Sequence, residues 1–269
     1  KTGITLVSVM TVLFFLLMLA GTWLNGTDLF GKYQGDFYAI FPHNFLAVLF
    51  GSVFVTAFIL LGLGIIKFWK QTSDIIPEGV AQTDIIQASK NVLTLKYLDG
   101  GHGKGCNEED DRYTQIRRVF HHFTMYGFLL CFLATIVATI YHYFFGLQAP
   151  YAYTSLPVIL GTLGGLGLVI GPIGLLYLNI KRDPMHGDAK QKPMDRGFIF
   201  LLLIVSITGL ALMVFRDTTA MALLLIIHLA TVMTFFLTIP FGKFAHGFYR
   251  SAALLKFAVE ERTAKSKTK

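Results

Sequence analysis

The chain has 269 residues, of which 54% are hydrophobic and only 14% charged, and its mean hydropathy is +0.60. Soluble domains carry roughly 25% charged residues, so one soluble core is excluded and a bilayer is the solvent that fits. The formal charge of +7 does not point to nucleic acid, because the basic residues sort by side of a membrane rather than into a patch.

A membrane-spanning helix needs roughly 20 mostly apolar residues, and six stretches supply them: 4–24, 43–66, 119–145, 156–180, 197–215 and 219–241. The first is too long for a typical signal-peptide core and no small-residue cleavage site follows it, so it reads as a true span. The chain starts at Lys1 rather than Met, as a piece of a longer polypeptide would. Asn25-Gly26, Pro150, Pro157, Arg182-Asp183-Pro184 and Asp217 punctuate the connections. The fourth span holds Gly161, Gly164, Gly165, Gly167, Gly171 and Gly174, small residues that let a neighbouring helix approach closely. Pro172 is expected to kink it.

The reading is therefore an all-α, polytopic membrane bundle of about six transmembrane helices. Residues 1–66 hold the first two spans and 67–118 form an extramembrane loop. Residues 119–260 make a four-helix membrane bundle, and 261–269 are a basic tail. Six spans put the N-terminus, loop 67–118, loop 179–196 and the C-terminal segment on one side. That side holds 21 of the 23 Lys and Arg residues, leaving Lys32 and Arg216 on the other. The positive-inside rule then places both termini in the cytoplasm.

In loop 67–118, residues 83–98 have the pattern of an amphipathic surface helix. Gly100 through Cys106 and the acidic run Glu108–Asp111 follow. The GxxxxGK[ST] order of a phosphate loop is absent. The segment reads either as a solvated turn with an acidic cap or as a contact for a redox partner or quinone. Cys106 and Cys131 are too few for a four-cysteine cluster or a disulfide framework, and both are expected to be reduced.

Histidines are the conspicuous polar residues of the spans. An ionisable group inside a bilayer asks for a function, and neutral imidazole is a common axial ligand of haem iron. His228 lies deep in the sixth apolar run, and His246 follows 18 residues later. On one continuous helix that is five turns, or about 27 Å, which puts both on one face near opposite edges of the hydrocarbon. The third span offers His121 or His122 at its start and His142 near its end. His121 is the better partner by helical phase, with His122 as the alternate. Pairing by depth joins His121 to His246 and His142 to His228. His43, His102 and His186 read as interfacial or hydrogen-bonded residues. Arg117, Arg118, Lys243 and Arg250 flank the cytoplasmic histidines, either as donors to haem propionates or as ordinary basic anchors. No catalytic residue is assigned.

The segment Tyr97-Leu98-Asp99-Gly100-Gly101-His102-Gly103-Lys104-Gly105-Cys106-Asn107 leads on to Arg117-Arg118-Val119-Phe120-His121-His122-Phe123. With Phe241-Gly242-Lys243-Phe244-Ala245-His246-Gly247-Phe248-Tyr249-Arg250, it resembles the membrane half of the tricarballylate-utilisation protein B, or CitB-like citrate-utilisation, family. More distantly, His228 and the stretch from Pro240 to His246 look like the last helix of the nitrate reductase gamma subunit, which carries two b haems. The resemblance implies one or two b-type haems. It also implies electron transfer from a flavin-dependent dehydrogenase of tricarballylate or a related acid to membrane quinone. The 4Fe-4S clusters such proteins use are then on a domain or subunit outside these residues. Two other readings stay open: a tricarboxylate transporter, and a haem-free membrane anchor for a dehydrogenase.

Overall fold

Among the described residues, six helices are long and apolar enough to cross a membrane, and they make up most of the chain. The structure, a computed structural model, describes residues 2–72, 79–107, 112–182 and 191–267. His186 and the acidic run Glu108–Asp111 lie outside the described residues. The spanning helices are α1 (Thr2–Leu24), α2 (His43–Thr72), α4 (Ile116–Phe145), α5 (Leu156–Lys181), α6 (Lys192–Phe215) and α7 (Met221–Thr238). Two more helices, α3 (Gln82–Leu93) and α8 (Ala245–Lys267), and short 3-10 turns at Phe37–Ala39 and Lys96–Leu98 complete the set. Among the described residues there is no strand, only an isolated bridge between Cys106 and Thr114. An apolar helix satisfies its own backbone, which is why this sequence crosses a bilayer as helices.

α7 is the centre of the bundle. Met221, Ala222, Ile226, Ala230 and Thr234 on it are fully buried, and α1, α2 and α6 pack around it. Leu6, Val9, Leu13, Val48, Ile59 and Leu63 on α1 and α2 are instead exposed, as lipid-facing residues are. α4 and α5 form the tightest pair, backbone against backbone. A Cβ on Gly164 would sit 2.7 Å from Cys131 Sγ and 2.8 Å from the Gly127 carbonyl, and one on Gly171 would sit 2.3 Å from Thr124 Oγ1. The expected small-residue face is thus the α4 contact, while Gly165 faces Leu210 of α6. Where lipid removes the hydrophobic drive between helices, such close approach holds them together. α5 runs on through Pro172 to Lys181 without a break.

The sides can be read from contacts. Gly3 meets Met194, and Gly197 meets Ile4, so α1 and α6 start on one side. Gly35 lies against Pro150 and Asp217, so the connections after α1, α4 and α6 share the other. α3 and α8 pack together on the first side. Both ends of the described chain therefore lie on the same side, and the protein is a multi-pass membrane protein.

One expectation is corrected. The apolar run 219–241 does not continue into the His246 segment: α7 ends at Thr238 and a new helix begins at Ala245. Pro240 removes a backbone donor, and tight turns from Phe241 and Gly242 back to Thr238 replace the helical ladder. His228 and His246 are thus on different helices, and the five-turn spacing does not relate them. Within the basic segment from 261, α8 continues as far as Lys267. The amphipathic segment 83–98 is helical over Gln82–Leu93 and then turns at Leu95, whose φ of 47° is left-handed.

Candidate functional site

His121 sits one turn into α4, and His246 is the second residue of α8. Both line one cavity of about 400 Å³, within the range of roughly 300–1,000 Å³ typical of small-molecule and cofactor sites. Its walls are mainly apolar, with Phe128, Leu168, Leu202 and Phe244 among them, and Asn91 and Arg250 bring polarity. Among the described residues, no Asp or Glu lines it. Two other hollows, of about 170 and 430 Å³, are lined by no titratable side chain among the described residues.

The donor chemistry of His246 is legible. Its Nδ1 bonds the carbonyl of Lys243 in the preceding turn. A carbonyl only accepts, so Nδ1 carries the proton and the lone pair is on Nε2. That tautomer, fixed by a backbone oxygen, is the usual arrangement of a metal-binding histidine. Around His121 the nearby ionisable groups are Arg117, His246, Arg250 and His122. His122 itself stacks on Tyr126, 5.8 Å between centroids, and does not line the cavity.

The four basic residues flanking these histidines differ in their partners. Arg118 donates from Nε and Nη2 to the carbonyl of Thr94, at 3.0 and 2.7 Å, and so caps the end of α3. Lys243 pairs with Asp195 at 2.9 Å. Arg250 lines the cavity, and Arg117 lies beside His121.

Toward the other side of the membrane, the depth pairing of His142 with His228 is not formed by direct contact. His142 stacks on His43, with centroids 3.8 Å apart and planes 17° apart. Tyr38 and Tyr143 present edges to both rings. The His142 Nδ1 is buried with no hydrogen-bond partner among the described residues. Burial, with Tyr151, Asp36 and Tyr143 adding to it, pushes the Tyr38 phenol up. His228 turns toward α6, where its Cε1 is 2.9 Å from the point a Cβ on Gly209 would occupy. Thr208 Oγ1 lies 3.0 Å from Nδ1. That hydroxyl gives its own proton to the Ile204 carbonyl at 2.6 Å, so it accepts from Nδ1–H.

Sequence reasoning set His43 aside. Its signal was available: six spans put the start of α2 level with the end of α4. Asn91 carried no signal, because its relation to the cavity depends on how α3 folds back.

The family model described as citrate utilization protein B matches residues 3–267. The chain is 60% identical over 262 residues to a curated Escherichia coli protein named "Citrate utilization protein B", covering 97% of this chain and 68% of that protein. No solved structure matches. A match over almost the whole bundle, from the start of α1 to the end of α8, means that the chain belongs to the citrate utilization protein B family.

Proposed function

We propose that this chain is the membrane electron-transfer part of a citrate-utilisation system, holding b-type haem at His121 and His246. The observation that carries the reading is that these two imidazoles, from separate helices, line one apolar cavity, with His246 held in the tautomer that leaves Nε2 free to ligate. The residues fit the group: two imidazole nitrogen donors, apolar walls for a macrocycle, and Arg117 and Arg250 near the ligands for propionates. Bound haem would supply one-electron chemistry. The chain's own part is to orient the two rings, exclude water and place cations where negative charge would lie.

Electrons are proposed to come from a flavin-dependent dehydrogenase acting on tricarballylate or a citrate-like acid, through 4Fe-4S clusters on another domain or subunit, and to leave to quinone. Positive-inside sorting of the Lys and Arg residues supports an inner-membrane setting with the α3–α8 side in the cytoplasm. A second b haem is proposed toward the other side, held by His228 and His142.

One observation favours the haem-free anchor there instead. Thr208 satisfies His228 with an ordinary hydrogen bond, so its burial does not require a metal. The two readings separate on a single experiment: anaerobic reduction of the purified chain, then addition of a quinone analogue. Electron transfer predicts b-type bands that appear on reduction and vanish on quinone addition. An anchor shows no bands, and bands that stay reduced would exclude quinone as acceptor.

A further inference from the structure

α3 is not one of the spanning helices, yet it is tied to both helices that carry the cavity histidines. At its C-terminal end, Arg118 and Tyr126 of α4 donate to the carbonyls of Thr94 and Leu93, the latter at 2.9 Å. At its N-terminal end, Arg262 of α8 donates Nε to Asp84 Oδ1 at 3.0 Å, and Gln87 donates to Glu261 at 2.7 Å. α3 is therefore a strap from α4 to α8.

The faces of this strap are inverted. Asp84, Ala88 and Asn91 are buried, and α3 packs on α8. Ile86 is 60% exposed among the described residues, with Ile85 and Leu93 exposed beside it. At about 100° per residue, Ile85, Ile86, Val92 and Leu93 fall within an arc of roughly 120°, with Ser89 at its middle. A helix between protein and water turns such an arc inward and leaves its carboxylate and amide outside.

Depth says what the arc meets. α7 has 18 residues and so is about 27 Å long, close to the hydrocarbon thickness of roughly 30 Å. Near its end on the α3–α8 side, the Phe235 ring is 6.1 Å from Phe128 of α4, and Phe244, just past that end, is 4.8 Å from it. Phe128 thus marks the hydrocarbon edge on α4. Tyr126 lies nearer still to the α3–α8 side and holds the Leu93 carbonyl, so the C-terminal end of α3 sits at that edge, where tyrosine is at home. Phe123, Tyr126, Leu129 and Leu133 form an exposed, lipid-facing stripe on α4, and Leu93 continues it.

Charge agrees. Asp84 is the one acidic residue between positions 79 and 98, and it is buried against Arg262. Lys90 and Lys96 are exposed. An apolar arc edged by lysines suits a helix seated among headgroups, with alkyl side chains on the acyl chains and ammonium groups on the phosphates. A soluble partner would require neither this depth nor continuity with the α4 stripe.

We propose that α3 lies in the plane of the membrane, with Ile85, Ile86 and Leu93 inserted at the boundary of headgroups and acyl chains in the leaflet on its own side. Lipid is the occupant of that face. Val92 and Leu93 also line the cavity of His121 and His246, so one wall of that cavity rests on lipid rather than water. The inference stands on where α3 lies, whether or not the cavity takes haem.

The test uses the full purified chain with Cys106 and Cys131 replaced by serine. One cysteine is placed by Ser89→Cys, in the middle of the arc, or by Thr83→Cys, on the exposed polar side of α3. Each carries a polarity-sensitive fluorophore, in vesicles of phosphatidylcholine and phosphatidylglycerol. The Ser89→Cys label should emit to the blue, lose emission to lipids brominated on their acyl chains, and resist aqueous iodide supplied on both faces. The Thr83→Cys label should show the reverse. A Ser89→Cys label quenched by iodide and untouched by brominated lipid would put the arc in water and overturn the proposal. A label shielded from both would mean that protein, such as a second copy of the chain, covers the arc, and would overturn it equally. If Ser89→Cys misfolds, Ile86→Cys reads the same face. Haem content enters none of these outcomes, so the haem reading and this one fail separately.

Discussion

Arg262 Nε lies 3.0 Å from Asp84 Oδ1 and 3.1 Å from Oδ2, joining residues 178 positions apart. Asp84 is 2% exposed and also accepts from the backbone N–H of Ala81 at 2.8 Å, closing the first turn of α3. One carboxylate thus starts α3 and fastens it to α8. Removing a partner from a fully buried pair costs roughly 3–5 kcal/mol. The Arg262 side chain is one-third exposed, so Asp84→Ala is expected to cost less, about 2 kcal/mol. Proteolysis of the 79–107 segment in detergent should speed up, while the spanning helices stay intact.

The same contact sets a pH dependence. The Arg262 hydrogen bond, then the Ala81 N–H, hold the Asp84 carboxyl below its ordinary value of 3.8, against the opposing effect of burial. The unfolded carboxyl therefore takes up its proton first as pH falls. The stabilisation is complete at neutral pH, begins to weaken as pH approaches the unfolded value, and is lost as pH falls through the folded value. Acid titration of α3 docking, followed by hydrogen exchange, should show this loss in wild type and not in Asp84→Asn.

The α4–α5 pair predicts a contrast between two glycines. In Gly164→Ala the new methyl meets Cys131 and the Gly127 carbonyl at under 3 Å, so backbones must part, at about 1–3 kcal/mol. Gly62 on α2 has nothing within 4 Å of its Cβ position. Gly62→Ala should be neutral or mildly stabilising through helix propensity. Thermal unfolding in one detergent compares the two directly.

On α6, a side chain at position 209 would occupy the space of the His228 ring. Gly209→Val is expected to displace His228 from Thr208. If the second haem is present, that variant should lose it and keep the haem at His121 and His246, as read by haem per chain. Loss of both, with normal folding, would count against separate sites.

Sidedness has its own test. Asn25 and Ala264 are exposed, on opposite sides of the bundle. With Cys106 and Cys131 replaced, Asn25→Cys should react with an impermeant thiol reagent from outside intact cells. Ala264→Cys should react only after permeabilisation. The reverse pattern would contradict the inward placement of the basic side.

The spans were legible because a bilayer demands long apolar runs, and the glycines of α5 announced a close helix contact. The α7–α8 break was written in Pro240 and Gly242, but a hydrophobic count through 241 hides it. The His43–His142 stack and the Asp84–Arg262 strap were not legible. Each depends on how distant helices turn about their axes, which periodicity within one helix does not report. His121 lines the cavity and His122 does not; the helical phase that prefers His121 is reckoned against His142, which stacks on His43 instead. Arg118 was misleading for the same reason that Asn91 was silent: α3 folds back onto α4, and the guanidinium that looked poised for a cofactor caps Thr94 instead.

The central claim is that His121 and His246 hold one haem between them. The most direct measurement is haem per chain, with the reduced-minus-oxidised spectrum, in wild type, His121→Ala, His246→Ala and the double variant. The account predicts a b-type spectrum in wild type, the loss of the same haem in each single variant, and no further loss in the double. A well-folded wild type without haem, or single variants that keep the full wild-type content, would contradict it.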